Sequence, residues 1–232
     1  LPVKKEWEVK SRSARKKAEK LISFLESGNP LSSYGKNAAP WKEVDAFCQE
    51  MIDEIKTEAY ANLLNDKTVG VLGGDHSVSL GLVGALSEIH ESFGILQIDA
   101  HLDLRDSYEG FRYSHASAMR RAMEIPAVSK VVNVGARDYS EEEINFSKKM
   151  KERSVVYSDR KIQEESFVGN NWHNLCREIV TALPQKVYIS FDIDGLDQTF
   201  CPSTGTPVPG GLSFEKAFYL IKMIVKSDRK II

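Results

Sequence analysis

No stretch of this chain holds the roughly 20 consecutive apolar residues that a helix needs to cross a bilayer, so a helical membrane span is excluded as a reading. Cysteine is scarce. Cys48, Cys176 and Cys201 are odd in number and far apart, which fits a reducing, cytoplasmic setting better than a disulfide framework. An excess of charge is missing as well: 31 Lys and Arg face 33 Asp and Glu, a net charge of -2. That balance gives no general pull towards nucleic acid or an anionic membrane. The first residues lack the order of a secretory signal, and there is no internal repeat or composition shift to mark a linker.

What is present is a 232-residue chain with 42% hydrophobic and 28% charged residues, enough to bury a substantial core. Lys4 to Lys20 is basic with only Trp7 as an aromatic, which reads as the solvated face of a helix whose later part is apolar at Leu21, Ile22, Phe24 and Leu25. Gly28-Asn29-Pro30 stops it, and Leu31 to Pro40 reads as a loop. Helical spacing returns from Lys42 through Val44, Phe47, Met51, Ile55 and Tyr60. Short apolar runs predict strands at 68–72, 93–98, 130–134, 154–157 and 187–191, and another begins at Lys230. Between them, helices are expected over 78–91, 115–124, from Ser140, over 172–183 and after Ser213. This alternation implies βαβ units: an α/β fold of one domain over 1–232, with a parallel sheet covered on both faces.

Potential ligands gather where the strands end. Phe93 to Ile98 runs into Asp99, His101 and Asp103, and Val187 to Phe191 runs into Asp192 and Asp194. Side chains at every second position share a face if the strand continues through them. His76 follows the run at 68–72. Taken singly these are caps or polar pairs, as Asp75 with Ser77 is expected to be. Together, two imidazoles and four carboxylates exceed the needs of one ion. They suit two hard divalent cations bridged by carboxylate, with Mn²⁺ preferred over Zn²⁺ because oxygen dominates and thiolate is absent.

Gly-Gly-Asp-His-Ser at 73–77, Asp-Ala-His-Leu-Asp at 99–103 and Ser-Phe-Asp-Ile-Asp-Gly-Leu-Asp at 190–197 resemble the three signature blocks of the ureohydrolase family. Arginases, agmatinases, guanidinobutyrases and formimidoylglutamases make up that family. The resemblance implies a three-layer αβα sandwich with a mainly parallel central sheet. It implies that His76 and Asp103 hold one Mn²⁺, His101 and Asp194 a second, and that Asp99 and Asp192 bridge them. A metal-bridging hydroxide would then attack a guanidinium or amidine carbon. His115, in Tyr-Ser-His-Ala-Ser, matches the family's proton-shuttling histidine. The family also implies a homo-oligomer, trimer or hexamer, acting on a small guanidino or formimino substrate.

The loop at 104–114 and the Gly/Pro-rich segment at 204–211 resemble the agmatinase-like branch, so agmatine cleaved to putrescine and urea is the expected reaction. Arg105 and Arg112 leave a guanidino acid or formimidoylglutamate open, since either arginine can pair with a carboxylate. Gln198 replaces the family's usual proline, and no residue here matches the glutamate that holds the guanidinium, as if parts of both ends of a longer protein were missing. Two other classes stand beside the hydrolase: a single-zinc deacetylase, which needs no equivalent of His76 and Asp103, and a metal-binding relative without turnover.

Overall fold

The computed structural model describes residues 5–34 and 40–232. Residues 1–4 and 35–39, and with them half of the loop expected over 31–40, lie outside the described residues. The apolar runs form β1 (Phe93–Ile98), β2 (Val128–Val134), β3 (Ser154–Tyr157) and β4 (Lys186–Phe191), joined by the two-residue β5 (Lys230–Ile231). They lie in the order β3-β2-β1-β4-β5, and every ladder is parallel. β1 is buried along its whole length, as expected of a strand with neighbours on both edges and helices on both faces.

Alternation along β1 divides the core in two. Phe93 and Ile95 point into one cluster with α2 (Pro40–Leu63), α3 (Ser79–Ile89) and α4 (Ala118–Ala122). Leu96 and Ile98 point into the other, with α6 (Asp159–Phe167), α7 (Trp172–Ala182) and α8 (Phe214–Lys226). The sheet is therefore the middle of three layers. Outside them, α1 (Lys5–Glu26) lies on α2 through Leu21, Val44 and Phe111 and through ion pairs of Lys10 with Glu50 and Lys17 with Glu43. No helix among the described residues is long and apolar enough to cross a membrane.

Three local expectations are corrected. Residues 68–72 form no strand: a strand needs a partner, and no ladder among the described residues includes them. Leu72 is fully exposed as a result. The helix α6 was not expected, since it buries only Asp159 and Ile162 and is otherwise polar. Ser77, expected to cap the helix from Val78, does not, since α3 begins without a side-chain cap; the local capping expected of Asp75 with Ser77 does form, the Asp75 carboxylate accepting the Ser77 N–H at 2.9 Å.

Candidate metal centre

Because β1 and β4 are parallel neighbours, their carboxyl ends open on the same edge, and the loops that leave them meet. The expected continuation of both strands through their acidic residues does not occur. β1 stops at Ile98 and β4 at Phe191. Each strand is ended by its own aspartate, which folds back on the backbone two residues ahead: Asp99 Oδ1 accepts the His101 N–H at 2.7 Å, and Asp192 Oδ1 accepts the Asp194 N–H at 3.2 Å. Asp103 adopts a left-handed backbone, φ 54°. Turns, not strand alternation, bring the carboxylates together. The loops are then tied across, with the Ala100 N–H donating to Asp194 Oδ1 at 3.0 Å. Arg137 clamps the second loop by donating to the carbonyls of Asp194 at 2.8 Å and Leu196 at 3.2 Å, and to Val208 at 2.9 Å.

Two groups of donor atoms result, His76 with Asp99 and Asp103, and His101 with Asp99 and Asp194, each within 4.8 Å of one another. Asp99 belongs to both. His76 Nδ1 lies 2.9 Å from Asp99 Oδ2 and 2.8 Å from Asp103 Oδ2, yet it makes no hydrogen bond. That buried, unpartnered nitrogen stands between two carboxylates, and this mixed imidazole and carboxylate set fits a hard divalent cation. His101 Nδ1 lies 3.1 Å from Asp194 Oδ2 and 3.5 Å from Asp99 Oδ1. Asp192 stands outside both groups, its Oδ2 3.7 Å from His76 Nδ1.

The electrostatics have the same origin. Burial pushes Asp103 up to about 7, helped by the charge of Asp99. Burial, then Asp99 and Asp194, also raise Asp192. Asp194, then Asp99, lift His101 to about 10. Burial works against a charged His76, but Asp103 and Asp99 outweigh it and raise it well above the usual imidazole range. Asp99 is held low: burial opposes its charge, and His101 and His76 overcome that. Protons on these groups would compete with a cation for the same oxygen and nitrogen atoms.

A cavity of about 110 Å³ opens beside this cluster, lined among others by His101, Asp103, Arg105, Tyr108, His115 and Asp138. His115 is exposed in the turn before α4, its ring edge-on to Tyr108 at 5.7 Å and its Nδ1 3.5 Å from Ser114 Oγ. Arg105 lies 3.6 Å from buried Glu143 and over the Tyr108 ring at 5.2 Å. Arg112 is not among the lining residues. It pairs with Glu124 at 2.6 Å, so of the two arginines singled out by sequence only Arg105 faces the cavity.

Sequence reasoning missed Asp138, Tyr139, Glu143 and Thr206, which line the same cavity. Glu143 had a signal. Ser140-Glu141-Glu142-Glu143 is a capping-box pattern, and the box forms at the start of α5 (Glu141–Met150), with Glu143 also accepting the Leu104 N–H at 3.1 Å.

The sequence model described as Arginase family matches residues 14–232. An N(1)-aminopropylagmatine ureohydrolase of Thermus thermophilus is 35% identical over 211 residues, which cover 90% of this chain and 68% of that protein. An agmatinase of Pyrococcus horikoshii is 36% identical over 202 residues, covering 86% of this chain and 63% of its own. The crystal structure of the agmatine ureohydrolase of Thermoplasma volcanium superposes with a TM-score of 0.64 at 29% identity, over 75% of this chain and 56% of that one. The chain thus spans between 56% and 68% of the length of these relatives.

Proposed function

The chain belongs to the arginase family, and from that premise we propose that it is a ureohydrolase that holds two Mn²⁺ and cleaves a guanidino C–N bond, with agmatine as the first candidate substrate. The observation that carries this reading is the pair of ligand groups sharing Asp99. His76 and Asp103 would hold one cation, His101 and Asp194 the other. Asp192 is within a small side-chain movement of joining them, with its Oδ2 3.7 Å from His76 Nδ1. Two bound cations would supply an acidified water as nucleophile and a positive field for the charge that develops during attack. The names of relatives as agmatinase and aminopropylagmatine ureohydrolase support a guanidino compound with an amine tail.

The chain's own residues would do the rest. The exposed imidazole of His115 borders the cavity and can pass a proton between solvent and the leaving amine. Tyr108 and Ser114 stand beside it, the ring centroid at 5.7 Å and the hydroxyl at 3.5 Å. Arg105 favours a second reading, a guanidino acid whose carboxylate it would meet, because it is the arginine that lines the cavity. Urea release by Mn²⁺-loaded protein across agmatine, arginine and guanidinobutyrate separates the two. Agmatine turnover is expected, lost in His101→Ala and slowed about 10²–10⁴-fold in His115→Ala with Mn²⁺ content unchanged. Release from guanidinobutyrate but not agmatine would replace the first reading by the second. Silence on every compound with two Mn²⁺ bound would replace both readings by a different amidine substrate or a metal-binding relative without turnover.

Cation binding is expected to depend on pH in a stated direction. A raised pKa in the folded chain contributes stability that is complete below the unfolded value and is lost as pH rises through the folded one. For Asp103 that window runs from 3.8 to about 7, and for His101 from 6.5 to about 10. Chelator-treated protein should therefore melt lower at pH 9 than at pH 7, and the increment in melting temperature given by Mn²⁺ should grow over the same interval. Calorimetric titration at pH 7 in buffers of different ionisation heat should show protons released as Mn²⁺ binds. A titration without proton release would count against His101 as a ligand.

A further inference from the structure

At the last strand position but one before the ligand loops, the sheet carries a row of buried polar side chains. Gln97 on β1 is level with Asn133 on β2 and with Ser190 on β4, and side chains at paired positions point to the same face. Their exposures are 0%, 2% and 3%. Each reaches the candidate cation site. Ser190 Oγ is 2.6 Å from His76 Nε2. Asn133 Nδ2 donates to the His101 carbonyl at 2.9 Å, while its Oδ1 accepts the Ala136 N–H at 3.2 Å. Gln97 Nε2 donates to Asp99 Oδ2 at 2.9 Å and, at 3.4 Å, to the His101 carbonyl.

Gln97 Oε1 has no partner although it is buried. Turning the amide over would aim that oxygen at the Asp99 carboxylate, acceptor against acceptor, so Asp99 itself selects the orientation seen. A buried acceptor left bare is costly. The arrangement persists at the expense of the Gln97 oxygen, and the gain falls on Asp99.

We infer that Gln97 is a positioning residue for the cation site, holding Asp99 so that each of its oxygens keeps one side open to a different ligand group. A carboxylate offers about four acceptor positions, two on each oxygen. On Oδ1 one is taken by the His101 N–H, and on Oδ2 one is taken by Gln97. The oxygens that remain available stand 3.5 Å from His101 Nδ1 and 2.9 Å from His76 Nδ1 respectively. Without the amide only the His101 N–H on Oδ1 still fixes the plane of the Asp99 carboxylate, and Oδ2 loses the bond that sets its direction. The inference rests on the proposed role of Asp99 as the shared ligand.

Gln97→Met keeps the length of the side chain and removes both the donor and the bare acceptor. Its Mn²⁺ affinity is expected to fall about 10–100-fold, the range for losing a group that orients a ligand, while the melting temperature of the chelator-treated chain holds or rises. A purely structural role would move affinity and metal-free stability down together. Wild-type affinity in Gln97→Met, or a loss that only follows a lower metal-free melting temperature, overturns the inference. Absence of Mn²⁺ binding by the wild-type chain overturns the proposed function and this inference with it.

Discussion

Asp99→Asn is expected to remove both cations at once, whereas Asp103→Asn and Asp194→Asn should each remove one. The difference follows from membership: Asp99 contributes to both groups of donor atoms, and the other two aspartates to one each. Asparagine keeps an oxygen to accept the His101 N–H that closes the turn after β1, so the backbone has reason to stay in place. What it loses is the charge and the second acceptor oxygen, and it adds a donor that faces the Gln97 amide. Removing one partner from a buried charged group costs about 3–5 kcal/mol, or two to three and a half powers of ten in affinity. Metal content after dialysis against micromolar Mn²⁺ provides the measurement: two per chain in the wild type, one in Asp103→Asn and Asp194→Asn, none in Asp99→Asn. Retention of one tight Mn²⁺ by Asp99→Asn would show that the groups are independent and that Asp99 bridges nothing.

The contrast between the ligand residues and the reason given for them shows what a sequence carries here. Asp99, His101, Asp103 and Asp194 were legible as a set because carboxylates and imidazoles after an apolar run are costly without a partner. The alternation invoked to bring them together is absent. Their turns depend on bonds from Asp99 Oδ1 to the His101 N–H and from Asp192 Oδ1 to the Asp194 N–H, and on a left-handed Asp103. The buried strands β1 and β4 were legible because parallel strands covered on both faces must be apolar. Residues 68–72 are a similarly apolar run and form no strand, since composition does not specify a neighbour. At the opposite extreme, α6 is nearly all polar, and its best local mark is the Ser158 cap that accepts the Lys161 N–H. Asp138 and Tyr139 reach the cavity because β2 lies beside β1, which no local pattern states.

Among the glycines, Gly195 is a position where one added carbon should undo the site without replacing a ligand. A Cβ there would stand 2.6 Å from Asp99 N, 2.9 Å from Ile98 C and 3.0 Å from Asp99 Cα. All three are backbone atoms of the strand end that carries the shared aspartate, so no side chain can swing aside, and the loop bearing Asp194 has to move off. Overpacking of this kind costs about 1–3 kcal/mol, and a chain of this size loses about 2–4 °C of melting temperature per kcal/mol. The larger effect is on geometry. His101 and Asp194 are 3.1 Å apart across the two loops, and the Ala100 N–H reaches Asp194 Oδ1 at 3.0 Å; shifting one loop by a few tenths of an ångström disturbs both. Gly195→Ala should therefore fold with a lowered melting temperature and show weakened Mn²⁺ binding, most of all for the cation held by His101 and Asp194. Gly70→Ala is the control, because a Cβ at Gly70 meets nothing within 4 Å, and it should change neither property. Equal Mn²⁺ affinity in Gly195→Ala and the wild type would mean that the two loops can separate without disturbing the ligands, and that close approach at Gly195 is a matter of packing alone.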